Sequence, residues 1–222
     1  MKRKVYIETS VISYLTARIS RDLIVAGHQR ITQEWWATRR EAFDVSVSQA
    51  VCEEASAGDP EAAQERLAVL AALPVLEISE EAVALAKDLI RSGPLPERAE
   101  VDALHIAIAV TNQVDYLLTW NCRHLANAAL RHQIDHVCRE KGYEPIIICT
   151  PEEFLRIDMV WQDPIVEEVR KARDAYAKQF KYDLDAIYHD LKAKERQSGR
   201  RVVPCPSKRE KTPDQQVAAK PA

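Results

Sequence analysis

The first 150 or so residues alternate short β-branched runs with longer stretches of helical periodicity, a pattern that few architectures accommodate. The runs predict strands at about Val5–Ile7, Phe43–Ser48, Val75–Ile78, Asp115–Thr119 and Pro145–Cys149. Helices are predicted after Ser10, over residues 20–42, and over Gln49–Ala57, Glu61–Ala72, Ser79–Arg91, Arg98–Asn112 and Cys122–Lys141. Ser10 reads as the cap of the first helix. Breaks fall at Gly58-Asp59-Pro60, Gly93-Pro94-Leu95-Pro96 and Gly142. Strands joined through helices pair in parallel, because each crossover returns the chain to the same end of the sheet. The expected fold class is α/β, a parallel sheet covered by helices, and its ligand sites belong at the carboxyl ends of the strands.

At 222 residues and 46% apolar, the chain is long enough for one such core and is not disordered as a whole. Six per cent aromatic residues and five glycines argue against a turn-rich sandwich or barrel. The net charge of −3 excludes a strongly basic nucleic-acid binder. That charge is unevenly spread: residues 158–222 carry 14 basic and 11 acidic side chains, against 17 and 23 in the rest. An acidic body carries a basic tail. Five cysteines, an odd number without a C-x-x-C spacing, argue against a disulfide framework or a zinc site, and His132, His136 and Cys138 lack the remaining spaced ligands. The start, MKRKVYIETS, has no apolar h-region, and no run of about 18 apolar residues occurs. These features predict a cytoplasmic protein with no membrane span.

Four oxygen-bearing side chains fall at predicted strand ends or helix starts: Glu8, Glu54, Asp102 and Asn121. Converging carboxylates repel one another unless a cation neutralises them. Mg2+ takes oxygen ligands and keeps waters and substrate phosphate in its remaining positions. Each residue also has a plainer reading. Glu54 can sit on a solvated helix face, with its neighbour Glu53 as the inward acid. Asp102 can serve the helix dipole, worth about 0.3–1 kcal/mol. Asn121 can be a turn residue, Thr9 and Ser10 simple caps, and His105 a semi-buried histidine on the Asp102 face. Of Trp35-Trp36, one ring is expected in the core or at a dimer face.

The segments around these residues resemble the motifs of PIN-domain ribonucleases. VYIETSVISYLTAR is similar to that family's opening, Ser48 with Glu54-Ala55 to its second acidic motif, VDALHIAIAV to its third, and DYLLTWNCRHLANA to its fourth. The four occur in order over about residues 4–150, and the likeness is nearest to VapC-type toxins of type II toxin–antitoxin pairs. The resemblance implies a PIN-like parallel sheet and an endoribonuclease that hydrolyses RNA with Mg2+ or Mn2+, leaving 5′-phosphate and 3′-hydroxyl ends. It implies Glu8, Glu54, Asp102 and Asn121 as catalytic residues and Glu8, Glu54 and Asp102 as metal ligands. Thr9, Ser10 and Thr119 would position the substrate, and the protein would form a homodimer. Two departures stand out: the first acid is Glu8 where the family usually has Asp, and the fourth position is Asn121 rather than Asp. They keep open an alternative, a catalytically inactive scaffold that binds a partner or nucleic acid.

Beyond Phe154 the character changes. Ile165, Val169, Ala172, Tyr176 and Phe180 make one apolar stripe on a charged helix, and Leu184, Ile187, Tyr188 and Leu191 make another after Lys181-Tyr182-Asp183. Such helices need a partner surface. The segment resembles small antitoxin partners, and Met159 lies where such a partner would start. The expected organisation is a PIN-like domain over 1–155, an antitoxin-like helical extension over 156–198, and a disordered basic tail over 199–222. The segment is expected to act in cis, with a cognate antitoxin in trans or a dimerisation arm as the other readings.

Overall fold

The computed structural model describes residues 2–155, 164–200 and 203. Met159, the 155/156 boundary on its far side and nearly all of the expected basic tail lie outside these residues. The chain divides into two compact units, the first ending beyond residue 155 and the second holding the last two helices.

The first unit is built on five parallel strands: β1 (Arg3–Ile7), β2 (Phe43–Ser48), β3 (Val75–Leu76), β4 (Tyr116–Leu118) and β5 (Ile147–Cys149). Their order is β3-β2-β1-β4-β5. Val5 is in register with Val45 on one side and Tyr116 on the other, so β1 is central. Its Val5, Tyr6 and Ile7 are fully buried, as a strand covered on both faces requires. This is the parallel, helix-covered α/β sheet expected. β3 is shorter than the predicted Val75–Ile78, because only Val75 and Leu76 pair with β2.

Helices α1 (Thr9–Thr16), α2 (Leu23–Thr38), α3 (Gln49–Ser56), α4 (Pro60–Leu70), α5 (Glu80–Arg91), α6 (Glu100–Thr111), α7 (Ala128–Glu140) and the short α8 (Pro151–Leu155) cover the sheet. Most predicted boundaries hold to within a few residues, and the departures have local causes. Ser10 is not the cap of α1: the helix begins at Thr9, two residues earlier than a Ser10 cap would set it, and the Glu8 carboxylate folds back to accept the Ser10 amide at 3.1 Å. α2 starts only at Leu23 because Asp22 accepts the Ile24 and Val25 amides at 2.9 and 3.0 Å. Its inward face is Gln29, Thr32 and Trp35, and Leu23 and Ile24 are exposed. The polar inward residues are satisfied: Gln29 accepts the Ser20 amide at 2.8 Å and Thr32 accepts the Trp120 indole N–H at 2.7 Å. α7 begins six residues later than Cys122, because residues 122–127 form turns closed by Asn121 and capped by Asn127.

α6 is different from the other helices. Ala103 and every residue from His105 to Val110 are buried, so it has no solvent face along most of its length. α8 closes the far side of the unit, where Phe154 packs against Phe43 and Tyr116 with ring centroids 4.9 and 4.6 Å apart. Trp35 is fully buried there, while Trp36 is half-buried beneath Arg40.

The second unit contains α9 (Pro164–Gln179) and α10 (Leu184–Gln197). Lys181 and Tyr182 between them both adopt left-handed backbone, at φ 52° and 61°, and Asp183 then caps α10. Tyr176 of α9 donates to Asp190 of α10, which Lys194 also reaches at 2.6 Å. Ile165, Val169, Leu184, Tyr188 and Leu191 are exposed. No helix among the described residues is long and apolar enough to cross a membrane. Cys52, Cys122, Cys138 and Cys149 are free thiols, and burial pushes Cys149 up to about 12.

Candidate functional site

The strand order reverses direction at β1: the chain moves outward through β2 and β3, then crosses back to β4 and β5. Such a switch opens a crevice beyond the carboxyl ends of the two strands flanking it. Glu8 follows β1 directly, Thr119 follows β4, and the Glu8 amide donates to Leu118 O at 3.0 Å. Glu8 is only 7% exposed. It accepts hydrogen bonds from the Ser10 amide, the Ser10 hydroxyl and, at 2.7 Å, the Thr119 hydroxyl. Ser10 Oγ in turn accepts the Trp120 amide at 2.9 Å. Thr9, Ser10 and Thr119 thus hold the carboxylates rather than standing free.

Glu54, on α3, comes to the same crevice, while Glu53 turns away to accept from Gln49 at 2.7 Å. Glu54 Oε2 accepts the Thr9 hydroxyl and lies 3.0 Å from His105 Nε2. Burial pushes the Glu54 carboxyl up, but the hydrogen bonds from His105 and Thr9, with the His105 charge, outweigh it and hold the group below its ordinary range. His105 is 1% exposed, far more buried than its sequence context suggested. Its Nδ1 lies 2.7 Å from the Tyr6 hydroxyl, itself 2.7 Å from Ser48 Oγ. Burial drives the Tyr6 hydroxyl well above the usual tyrosine range. One ligand atom each from Glu8, Glu54 and His105 lie within 4.8 Å of one another.

Asp102 and Asn121 form a neighbouring cluster. Asn121 Nδ2 donates to Asp102 Oδ1 at 2.8 Å, and Asp102 Oδ2 lies 2.6 Å from His124 Nδ1. Asn121 Oδ1 accepts the His124 amide at 3.1 Å. The Asn121 amide donates to Thr119 Oγ1 at 2.9 Å, which ties this cluster to Glu8 through one hydroxyl. Of the four side chains named from the sequence, the fold brings Glu8 and Glu54 together directly, whereas Asp102 and Asn121 engage each other and His124. Sequence reasoning left out His105 as a member of the site, and His124 altogether. The three-residue spacing from Asp102 to His105 marked a shared helix face, and His124 follows Asn121 by three residues, in a turn.

The crevice is a cleft of about 460 Å3 whose lining includes Glu8, Thr9, Ser10, Tyr14, Gln29 and Glu54. A larger groove of about 640 Å3 runs between α5 and α6 past Val83, Ile90 and Leu104 and contains none of these residues. Behind the cleft, the His28 and Trp120 rings stack at 4.0 Å and Tyr14 meets Trp120 edge-on. The donor set suits a divalent cation. Two carboxylates stand within 4.8 Å of each other, and among the described residues neither is paired with Lys or Arg. Their oxygens and one imidazole are the ligand types that such ions take.

No family model and no curated protein matches the chain. Among solved structures, Mycobacterium tuberculosis VapC20, a toxin that cleaves the sarcin–ricin loop, aligns over 56% of this chain and 95% of its own, at 16% identity and a TM-score of 0.45.

Proposed function

We propose that this chain is a divalent-metal-dependent endoribonuclease of the toxin type, acting at the cleft beyond β1 and β4. The observation that carries the reading is the meeting of Glu8, Glu54 and His105, from three distant parts of the sequence, at a topological switch point. The likeness of four ordered sequence motifs to PIN-domain ribonucleases supports it.

Glu8 and Glu54 are the carboxylates that would hold the cation, with Asp102 as the third acid, reached from Glu8 through Thr119 and Asn121. When bound, Mg2+ or Mn2+ in such a site neutralises phosphoryl charge and lowers the pKa of an attacking water, worth several kcal/mol. The protein's part is to hold its groups still. Ser10 and Thr119 fix both Glu8 oxygens, and Thr9 fixes one Glu54 oxygen, whereas the other has no hydrogen-bond partner among the described residues. That second oxygen would orient the water and take its proton. The substrate is RNA, a homodimer is the proposed assembly, and the partner is an antitoxin in trans or the chain's own α9–α10 segment in cis.

The test is cleavage of RNA by the full chain, titrated with Mg2+ and Mn2+ and repeated for Glu54→Gln and Asp102→Asn. Cleavage should require the metal and fall at least about 100-fold in Glu54→Gln, the loss of a group acting on the reacting atoms. Equal residual cleavage in all three proteins rejects the enzyme. That outcome would favour the second reading, a non-catalytic scaffold. One observation speaks for it: both ends of the Asn121 amide and both Asp102 oxygens are already engaged within the chain.

A further inference from the structure

The imidazole in this carboxylate site changes which metal it should take. We propose that His105 is a metal ligand through Nε2, beside one oxygen each of Glu8 and Glu54, and that the site therefore selects Mn2+ over Mg2+. The inference rests on the metal site proposed above and goes beyond it in ligand and metal identity.

Three observations carry it. First, spacing: Glu54 Oε2 and His105 Nε2 are 3.0 Å apart. Two ligands at right angles, each about 2.1 Å from one ion, are separated by about 3 Å. The two atoms that share a hydrogen bond therefore already have the separation of adjacent ligands on one ion. Second, the ring is set. A ligating histidine nearly always donates its other N–H to an acceptor that fixes its tautomer and orientation. His105 Nδ1 faces the Tyr6 hydroxyl, and Tyr6 faces Ser48. Both hydroxyls can reverse donor and acceptor roles by rotation. The Tyr6 hydroxyl can thus accept a hydrogen bond from Nδ1–H when Nε2 holds metal, and donate one to Nδ1 when Nε2–H bonds Glu54. Third, His105 and Tyr6 are only 1% and 0% exposed, on the largely enclosed helix and the central strand, so the ring is held in place.

Chemistry then sets the choice. Mg2+ dehydrates reluctantly and favours carboxylate, carbonyl and water oxygens, whereas imidazole shifts a site toward transition metals. An all-carboxylate version of this cleft would not discriminate in that way.

The experiment is metal binding by the full chain, without RNA. Isothermal titration should show Mn2+ binding about tenfold or more tighter than Mg2+, and pulsed electron paramagnetic resonance of the Mn2+ complex should show coupling to an imidazole nitrogen. In His105→Gln the nitrogen coupling should vanish and the Mn2+ preference collapse, with Mg2+ binding retained. Tyr6→Phe, which keeps the ring and the core volume, should weaken Mn2+ binding about 10- to 100-fold. That variant keeps the proposal testable if His105→Gln does not fold. Equal affinities for the two ions, or a Mn2+ complex without nitrogen coupling, would overturn the proposal. If RNA cleavage still required metal in that case, the nuclease reading would survive alone. A wild-type chain that binds neither ion would end both.

Discussion

Ser10 holds three polar groups with one amide and one hydroxyl. Its amide donates to one Glu8 oxygen, its hydroxyl donates to the other, and the same hydroxyl oxygen accepts from the Trp120 amide. Ser10→Ala strips a partner from a nearly buried carboxylate and from a buried N–H at once. Glu8 keeps the Thr119 hydroxyl and the residue-10 amide, so the group left unpaired is the Trp120 N–H, at a cost of about 1–3 kcal/mol. The variant should lose stability on that scale in urea denaturation, and Ser10→Thr should restore most of it. A loss within experimental error would show that water replaces the serine. Ser10 also shows where reading the sequence succeeds and stops. Its place after the first strand marked it as a polar residue at the site, and Glu8 and Glu54 were legible for the same reason, as acids near strand ends. Its bonding was not legible, because a glutamate that caps its own helix is an unusual choice that only the turn geometry reveals. In the sequence His105 reads as a semi-buried histidine rather than a site residue, because a lone histidine in an apolar helix fits the core, and its partners Tyr6 and Glu54 lie 99 and 51 residues away.

At the scale of elements, the alternation of strands and helices was plain in the sequence because its periods differ. Helix starts were harder, since they depend on which Asn or Asp closes a turn: Asn127 rather than Cys122 opens α7, and Asp22 opens α2. The contact from α5 to the end of α7 was not legible at all. Asp88 meets Lys141 at 2.7 Å and also Arg91. The Lys141 hydrogen bond first, then Arg91, holds the Asp88 carboxyl below its ordinary value. A carboxylate whose folded pKa is depressed contributes its stability above the unfolded pKa of about 3.9, and loses it as pH falls through the lower folded value. Asp88→Asn should therefore cost about 1 kcal/mol near neutral pH, a modest figure because Lys141 is half exposed. The wild-type advantage should begin to shrink as pH falls below about 4. Urea midpoints of the two proteins at pH 7 and pH 3 check this, and a gap as large at pH 3 as at pH 7 would assign the effect to packing.

The first unit has a buried sheet, whereas the second has little interior among its described residues. Neither α9 nor α10 has a buried residue, and Ile165 and Leu184 are 74% and 79% exposed. The amphipathic stripes announced that in the sequence, but periodicity names no partner. If the segment restrains the proposed nuclease activity in cis, Leu184→Glu with Leu191→Glu in the full chain should raise RNA cleavage about tenfold or more, since burying each leucine is worth about 1.5–3 kcal/mol. Unchanged cleavage would assign the segment to dimerisation or to a partner in trans, and sedimentation of the same variant would separate those two. The first unit has the opposite character, most plainly in α6. Asp102 and His105 are carried by a helix wrapped in protein along most of its length. An element so enclosed exchanges its amide protons only when the surrounding layer opens. Heat would then dismantle the chemistry and the scaffold in a single cooperative event, with no softened intermediate in which the cleft is lost and the sheet endures.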